Sequence, residues 1–211
     1  ETGLRSYNRY MPEEINRVLT DHAALLLLTP TDHATKNLLR EGVKRDMIHQ
    51  VGDVMFDAAL FFASKAESHS SLLLDNRLER GSYVMATVHR QENTNNPFRL
   101  KTIFRALQII REDMPVVTTM HPRTQKCLDG FGMLHLLEGL TVLPPIGYLD
   151  MAMLERGAAV ITTDSGGVQK EAYFHGVPCV TLRHETEWVE LLELGWNRLA
   201  PPTDENTICQ A

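Results

Sequence analysis

The stretch Val160-Ile161-Thr162-Thr163-Asp164-Ser165-Gly166-Gly167-Val168-Gln169-Lys170-Glu171 decides the fold. Four apolar or β-branched residues read as a short buried strand, small residues make a tight turn, and an amphipathic run begins a helix over 166–175. Glycines here let a ligand approach the backbone. The free N–H groups and the positive end of the helix dipole favour an anion such as phosphate. Ser165 adds a hydroxyl, and the Glu171 carboxylate can accept from ribose hydroxyls. The same residues would also make an ordinary N-cap with glycines for packing, and spacing alone does not choose. The pattern is neither a Walker A loop nor GxGxxG.

The same alternation extends on both sides. Strands are expected at 83–88, 116–120, 140–143, 159–163 and 179–182. Helices are expected from Asn96-Pro97 to about 112, from Arg123, at 148–155, at 166–175 and from Glu187. Strand–helix alternation of this kind implies right-handed crossovers and an α/β, Rossmann-like, doubly wound parallel sheet. Upstream, 12–22 reads as a helix with Pro at its first turn. Residues 24–28 read as a buried strand, Thr31 as the N-cap of a helix over 32–41 stopped by Gly42, and 54–67 as a long, largely buried helix. The chain before Val54 reads as the end of another domain, and the opening of the sequence in mid-motif without a Met suggests a fragment.

Composition narrows the function classes. The 211 residues are 43% hydrophobic and 23% charged, with a net charge of −6. That acidity disfavours nucleic acid and anionic membrane as partners. The apolar run 23–28 is far shorter than the ~20 residues of a membrane span. Glu1–Arg9 is too polar for a signal peptide. Cys127, Cys179 and Cys209 lack metal spacing and fit a reducing, cytoplasmic setting.

Ligands of doubly wound sheets bind beyond the carboxyl ends of the strands. Three further junctions there carry chemistry: Val88-His89-Arg90-Gln91-Glu92-Asn93, Met120-His121-Pro122-Arg123, and Leu182-Arg183-His184-Glu185-Thr186-Glu187-Trp188. Imidazole and guanidinium groups at two of these strand ends suit an anionic ligand. Thr186 is read as an N-cap or a phosphate contact, and Arg183 as a partner for a ligand anion. At the chain's beginning, Glu13 and Arg17 are four apart and share a helix face, which an exposed ion pair would also explain. Asn16, Asp21 and His22 fit caps or buried polar groups.

In order and spacing these motifs resemble the non-hydrolysing UDP-N-acetylglucosamine 2-epimerases. The resemblance rests on Glu1-Thr2-Gly3-Leu4-Arg5, Pro12-Glu13-Glu14-Ile15-Asn16-Arg17, Leu19-Thr20-Asp21-His22, Gly52-Asp53, His89-Arg90-Gln91-Glu92-Asn93, 163–172 and Thr186-Glu187-Trp188-Val189-Glu190. It implies a glycosyltransferase-B-like (GT-B-like) architecture with an incomplete first domain. Residues 1–53 would end that domain, and 54–211 would be a hinge helix and a second, UDP-binding domain lacking its C-terminal helix. It implies inversion at C2 of the sugar by elimination of UDP to 2-acetamidoglucal and re-addition. No redox cofactor or metal is expected.

Carried over by position, the catalytic candidates are Glu1, Glu13, Arg17 and His89. The UDP candidates are Ser165, Gly166, Gly167, Glu171, Arg183, His121 and Met151, the last standing where an aromatic residue is expected by the uracil. Arg9 and Tyr10 are candidates for an effector site, because bacterial members are activated by UDP-N-acetylglucosamine. The family is usually dimeric. The alternatives are a UDP-2,3-diacetamido-2,3-dideoxyglucuronate 2-epimerase, a UDP-sugar glycosyltransferase, and a binding or dimer-forming module without turnover.

Overall fold

The structure, a computed structural model, describes residues 2–211. An opening unit contains α1 (Pro12–Ala23), β1 (Leu27–Thr29), α2 (Asp32–Arg40) and β2 (Ile48–Gln50), with β1 and β2 paired in parallel. Helices α3 (Val54–His69) and α4 (Leu72–Asp75) lead into a larger unit. There β3 (Val84–Thr87) precedes α5 (Gln91–Thr94) and α6 (Pro97–Ile110). Next come β4 (Val116–Thr119), α7 (Pro122–Gly130), β5 (Thr141–Leu143), α8 (Tyr148–Gly157) and β6 (Val160–Thr163). Helix α9 (Gly166–His175), β7 (Cys179–Thr181), α10 (Val189–Glu193), β8 (Asn197–Leu199) and α11 (Glu205–Cys209) complete it. The six strands of this unit are all parallel, in the order β5-β4-β3-β6-β7-β8.

Side-chain alternation along the strands explains the two covered faces. Val84 and Ala86 of β3 face α6, whose Leu100, Ile103, Phe104 and Leu107 are fully buried. Met85, Val117 and Ile161 point the other way, against Leu154 of α8 and Val168 and Ala172 of α9. At about 1.5–3 kcal/mol for each large apolar side chain buried, these layers dominate the unit's stability. The two units touch through Leu4 and Ala34 against Trp188 and Leu191. Asn8 Nδ2 also donates to Glu185 Oε1 at 2.7 Å, and Thr31 Oγ1 to Glu190 Oε1 at 2.6 Å.

Some local expectations hold and others fail. Thr31 caps α2 by accepting from Ala34 N at 3.1 Å, and Gly42 ends that segment at φ +84°. The strand expected at 24–28 is only Leu27–Thr29, and it is not buried throughout: Leu25 is 89% exposed and Leu28 49%. The small sheet has a cover on one face only, where Leu27 and Ile48 meet Leu38 of α2. Helix α3 is as long as expected but not largely buried. Its Ala59, Ala63 and Ala66 form a narrow stripe, Ala66 meeting Ala152 and Met153 of α8, while Phe56, Leu60 and Phe61 stay exposed. Small residues at i, i+4 and i+7 let that helix approach closely, so the contact is narrow. The last expected helix begins at Val189 rather than Glu187.

Candidate functional site

The strand order reverses between β3 and β6, which is where the Rossmann arrangement opens a crevice. Thr87 and Thr163 are paired there in register, with their hydroxyls 2.5 Å apart. Just beyond, the fully buried Asp164 carboxylate accepts from His89 N (3.0 Å), Arg90 N (3.0 Å) and Asn93 Nδ2 (3.0 Å). Asn93 Nδ2 also donates to Leu182 O at 3.1 Å, so the ends of β3, β6 and β7 are tied together. Sequence reasoning gave Asp164 no role. The signal was present: Ser165 already serves as N-cap of α9, accepting from Val168 N, which left the aspartate for other donors.

Ser165, Gly166 and Gly167 sit at the mouth of α9, on a cleft of about 770 Å³. That volume suits a drug-sized or nucleotide-sized ligand. Gly166 is required by its neighbour, because a Cβ there would lie 2.6 Å from Glu187 Oε1. A Cβ on Gly167 would make only ordinary contacts, at 3.9 Å. His89, Arg90, His121 and Arg123 line the same cleft, as do Glu13 and Arg17 from α1. The His89 and His121 ring centroids are 5.7 Å apart. His121 Nδ1 accepts from Arg123 N at 3.1 Å, which leaves the proton of a neutral ring on Nε2.

A second, apolar pocket of about 360 Å³ adjoins the first at the two histidines and includes Pro145, Ile146, Tyr148, Met151 and Val168. Met151 therefore lies where a flat apolar ring would fit. Glu171 follows Val168 by three residues and so shares its helix face. The Glu171 carboxyl bonds the Tyr148 hydroxyl; burial raises the pKa of the carboxyl and pushes Tyr148 up to about 12. Behind it, Glu155 is buried and raised well above the carboxylate range, by burial first and then by Glu171.

Not every expected residue faces the cleft. Arg183 lies beneath the floor, fully buried, with Nη1 3.0 Å from Glu187 Oε2. A guanidinium so enclosed needs an internal anion, and Glu187 supplies it. Thr186 neither caps α10 nor faces the cleft. Its hydroxyl donates to Gln169 Oε1 at 2.8 Å and accepts from Trp188 N at 3.1 Å. Arg17 stands 3.7 Å from Glu14 rather than pairing on the surface with Glu13. Glu14 itself accepts from Ser6 N and Tyr7 N. Asp21 proves to be scaffold, accepting from Gly3 N at 2.9 Å and Arg5 Nη1 at 2.8 Å. Glu1 lies outside the described residues. Arg90 and Arg123, read from sequence as guanidiniums suited to an anionic ligand, do line the cleft; Glu187, read only as the start of a helix, lines it too, and Asp164, given no role, organises it.

Among the described residues, no helix is long and apolar enough to cross a membrane, and no group of three or more His, Cys, Asp or Glu could hold a metal ion. A six-stranded doubly wound sheet with an amide-rich cleft, lined by arginines and histidines at its reversal point, belongs to the GT-B-like class of α/β proteins. Within that class the chain belongs to the UDP-N-acetylglucosamine 2-epimerase family, whose model matches residues 1–211.

The chain is 42% identical over 99% of its length to a UDP-N-acetylglucosamine 2-epimerase of Methanocaldococcus jannaschii, covering 59% of that protein. It is 48% identical over 94% of its length to a UDP-2,3-diacetamido-2,3-dideoxy-D-glucuronate 2-epimerase of Pseudomonas aeruginosa, covering 55% of it. Among solved structures it resembles the M. jannaschii UDP-GlcNAc 2-epimerase in complex with UDP-GlcNAc and UDP. There the TM-score is 0.91 at 41% identity, over all of this chain and 59% of that one. The chain thus spans somewhat more than half the length of these relatives.

Proposed function

We propose that the protein carrying this chain is a UDP-sugar 2-epimerase that interconverts UDP-N-acetylglucosamine and UDP-N-acetylmannosamine. The observation that carries this reading is that Glu13 and Arg17 of α1 share one cleft with Ser165, Gly166 and His89 of the larger unit. A carboxylate and an anion-binding helix mouth then face a single ligand.

In this reading the diphosphate docks at the α9 mouth beside Arg90 and Arg123, the uracil enters the apolar pocket by Met151, and Glu171 takes the ribose hydroxyls. A carboxylate from the chain's beginning, Glu13 or Glu1, accepts the C2 proton of the sugar. The C2–H electron pair forms the C1–C2 double bond, and the C1–O bond breaks with its pair onto the β-phosphate oxygen. UDP gains one negative charge, which N–H groups and guanidiniums stabilise. Re-addition of UDP and return of the proton to the other face of C2 complete the inversion, with His89 at the diphosphate or as a proton carrier. No step changes an oxidation level overall.

Proton NMR of UDP-N-acetylglucosamine in deuterated water tests the reading on the complete protein. Loss of the C2 proton signal with growth of the manno isomer supports it; UDP release only with an acceptor sugar present indicates a transferase instead. Glu171→Ala should weaken UDP binding without unfolding the protein. Glu13→Gln should stop epimerisation while UDP still binds. The P. aeruginosa relative favours a second reading, with UDP-2,3-diacetamido-2,3-dideoxyglucuronate as substrate. Comparing kcat/KM for the two UDP-sugars decides between them. A homodimer and activation by UDP-N-acetylglucosamine are also proposed, with Arg9 and Tyr10 in the effector site. Light scattering and the rate's dependence on that nucleotide-sugar test these two points.

A further inference from the structure

The cleft floor holds a buried carboxylate that the proposed reaction leaves unused. Glu187 is 3% exposed. Its Oε2 accepts from Arg183 Nη1 at 3.0 Å. Its Oε1 lies 2.6 Å from the point a Gly166 Cβ would occupy, and Arg90 Nη2 lies 3.7 Å from that same point. Burial by itself raises the Glu187 pKa, but Arg183, its own backbone N–H, Arg90 and Arg17 outweigh burial and hold it below the usual carboxylate range. This carboxylate therefore stands near guanidiniums from three chain segments: α1, the end of β3 and the end of β7.

We propose that Glu187 is a positioning residue: it gathers Arg17 and Arg90 into the cleft and offsets their charge, so that UDP is held through elimination without being trapped. The inference rests on the reading that the diphosphate docks at the mouth of α9. Arg183 is fully buried and its charge meets no bulk water, so an internal anion is needed to keep it there. Arg17, already 3.7 Å from Glu14, and Arg90 line the same cleft from different units, and a carboxylate beside both lowers their mutual repulsion. Glu187 meets both needs. When the C1–O bond breaks, UDP acquires an extra negative charge. Without the Glu187 carboxylate the arginines would bind that product state more tightly and slow its return to the sugar.

The test is Glu187→Gln in the complete protein, read by UDP calorimetry and by steady-state epimerisation. A scaffold role alone would lower affinity and turnover together. The proposal expects them to part. UDP binds about tenfold tighter, because a like charge beside the diphosphate is gone. The kcat falls about 100-fold, because the two arginines lose their register. Glu187→Asp retains the charge and serves if the Gln variant does not fold; it should keep UDP affinity within about twofold while kcat falls. Equal losses of affinity and kcat, or no change in either, overturn the proposal. A wild type with no UDP affinity overturns the site reading and this inference together. A wild type that binds UDP, with a variant that loses both properties in parallel, overturns this inference only.

Discussion

Replacing Asp164 with Asn should loosen both walls of the cleft at once. The carboxylate accepts from His89 N, Arg90 N and Asn93 Nδ2, all at 3.0 Å, and is fully buried. An Asn amide can set its oxygen where Oδ2 stood and keep Arg90 and Asn93, now as neutral bonds worth about half as much. Its –NH₂ then stands where Oδ1 accepted from His89 N, donor against donor, and His89 N–H keeps only its longer bond, 3.2 Å, to the oxygen at the Oδ2 position. Losing about 1 kcal/mol at each retained bond and about 1–2 at the His89 N–H, which swaps its shorter bond for a facing donor, gives a destabilisation of about 3–4 kcal/mol. For a domain of this size that is a fall in Tm of roughly 10 °C. Amide exchange in residues 88–95 should accelerate more than in the core strands, and UDP affinity should drop because His89 and Arg90 lose their anchor. Thermal melts, exchange mass spectrometry and calorimetry check the three parts. A Tm within about 3 °C of wild type, with normal UDP affinity, would refute the role assigned to Asp164.

Gly166→Ala should push the Glu187 carboxylate off the α9 mouth, since its Cβ would stand 2.6 Å from Oε1. A tenfold or greater change in UDP affinity with a small change in Tm is expected by calorimetry. Glu155→Gln should stabilise the protein at pH 8 and less so toward pH 5. Burial raises the folded carboxyl above its unfolded value, so the wild type loses stability as pH climbs from that unfolded value, and glutamine removes the loss. Melts at the two pH values measure it. His175, pushed down to about 4 by burial, acts in the opposite sense between its unfolded value and 4; its Nε2 stands 3.5 Å from Glu155 Oε2, so the same comparison in a His175→Gln background separates the two contributions. Trp188→Ala should cost about 3–5 kcal/mol, because the indole is buried between Leu4 and Ala34 of one unit and Leu191 of the other. Denaturation that stays unchanged would show that the two units do not rely on it.

What could be read from sequence followed the local physics. Helix α9 came out with its observed bounds because Ser165 caps it and Gly176 ends it in the left-handed region, both short-range signals. The alternation from β3 to β7 was legible because those strands are short and rich in apolar or β-branched residues, with capped helices after β4 and β6; β8, Asn197–Leu199, carries no such signal and was not expected. Burial was not legible where it depended on what lies on the other side. Within this stretch of chain only Leu27 of the run 24–28 is buried, covered by Leu38 of α2, while Leu25 and Leu28 meet no cover that the stretch itself supplies. Charged residues misled most. Arg183 was read as a partner for a ligand anion and Glu187 as the first residue of a helix. They form an ion pair at 3.0 Å, both buried, which neither residue's local sequence shows. Asp164 went unassigned because its donors His89 and Arg90 stand about 75 positions earlier, with no local trace.

That separation has a kinetic consequence. The cleft walls come from distant stretches of chain that meet only when β3 and β6 align at the sheet's centre, one of the last pairings that loop-closure entropy permits. Nucleotide capture should therefore lag behind helix formation during refolding and mark the final consolidation of the sheet. Excess UDP would draw the chain toward its native form without hastening the first collapse.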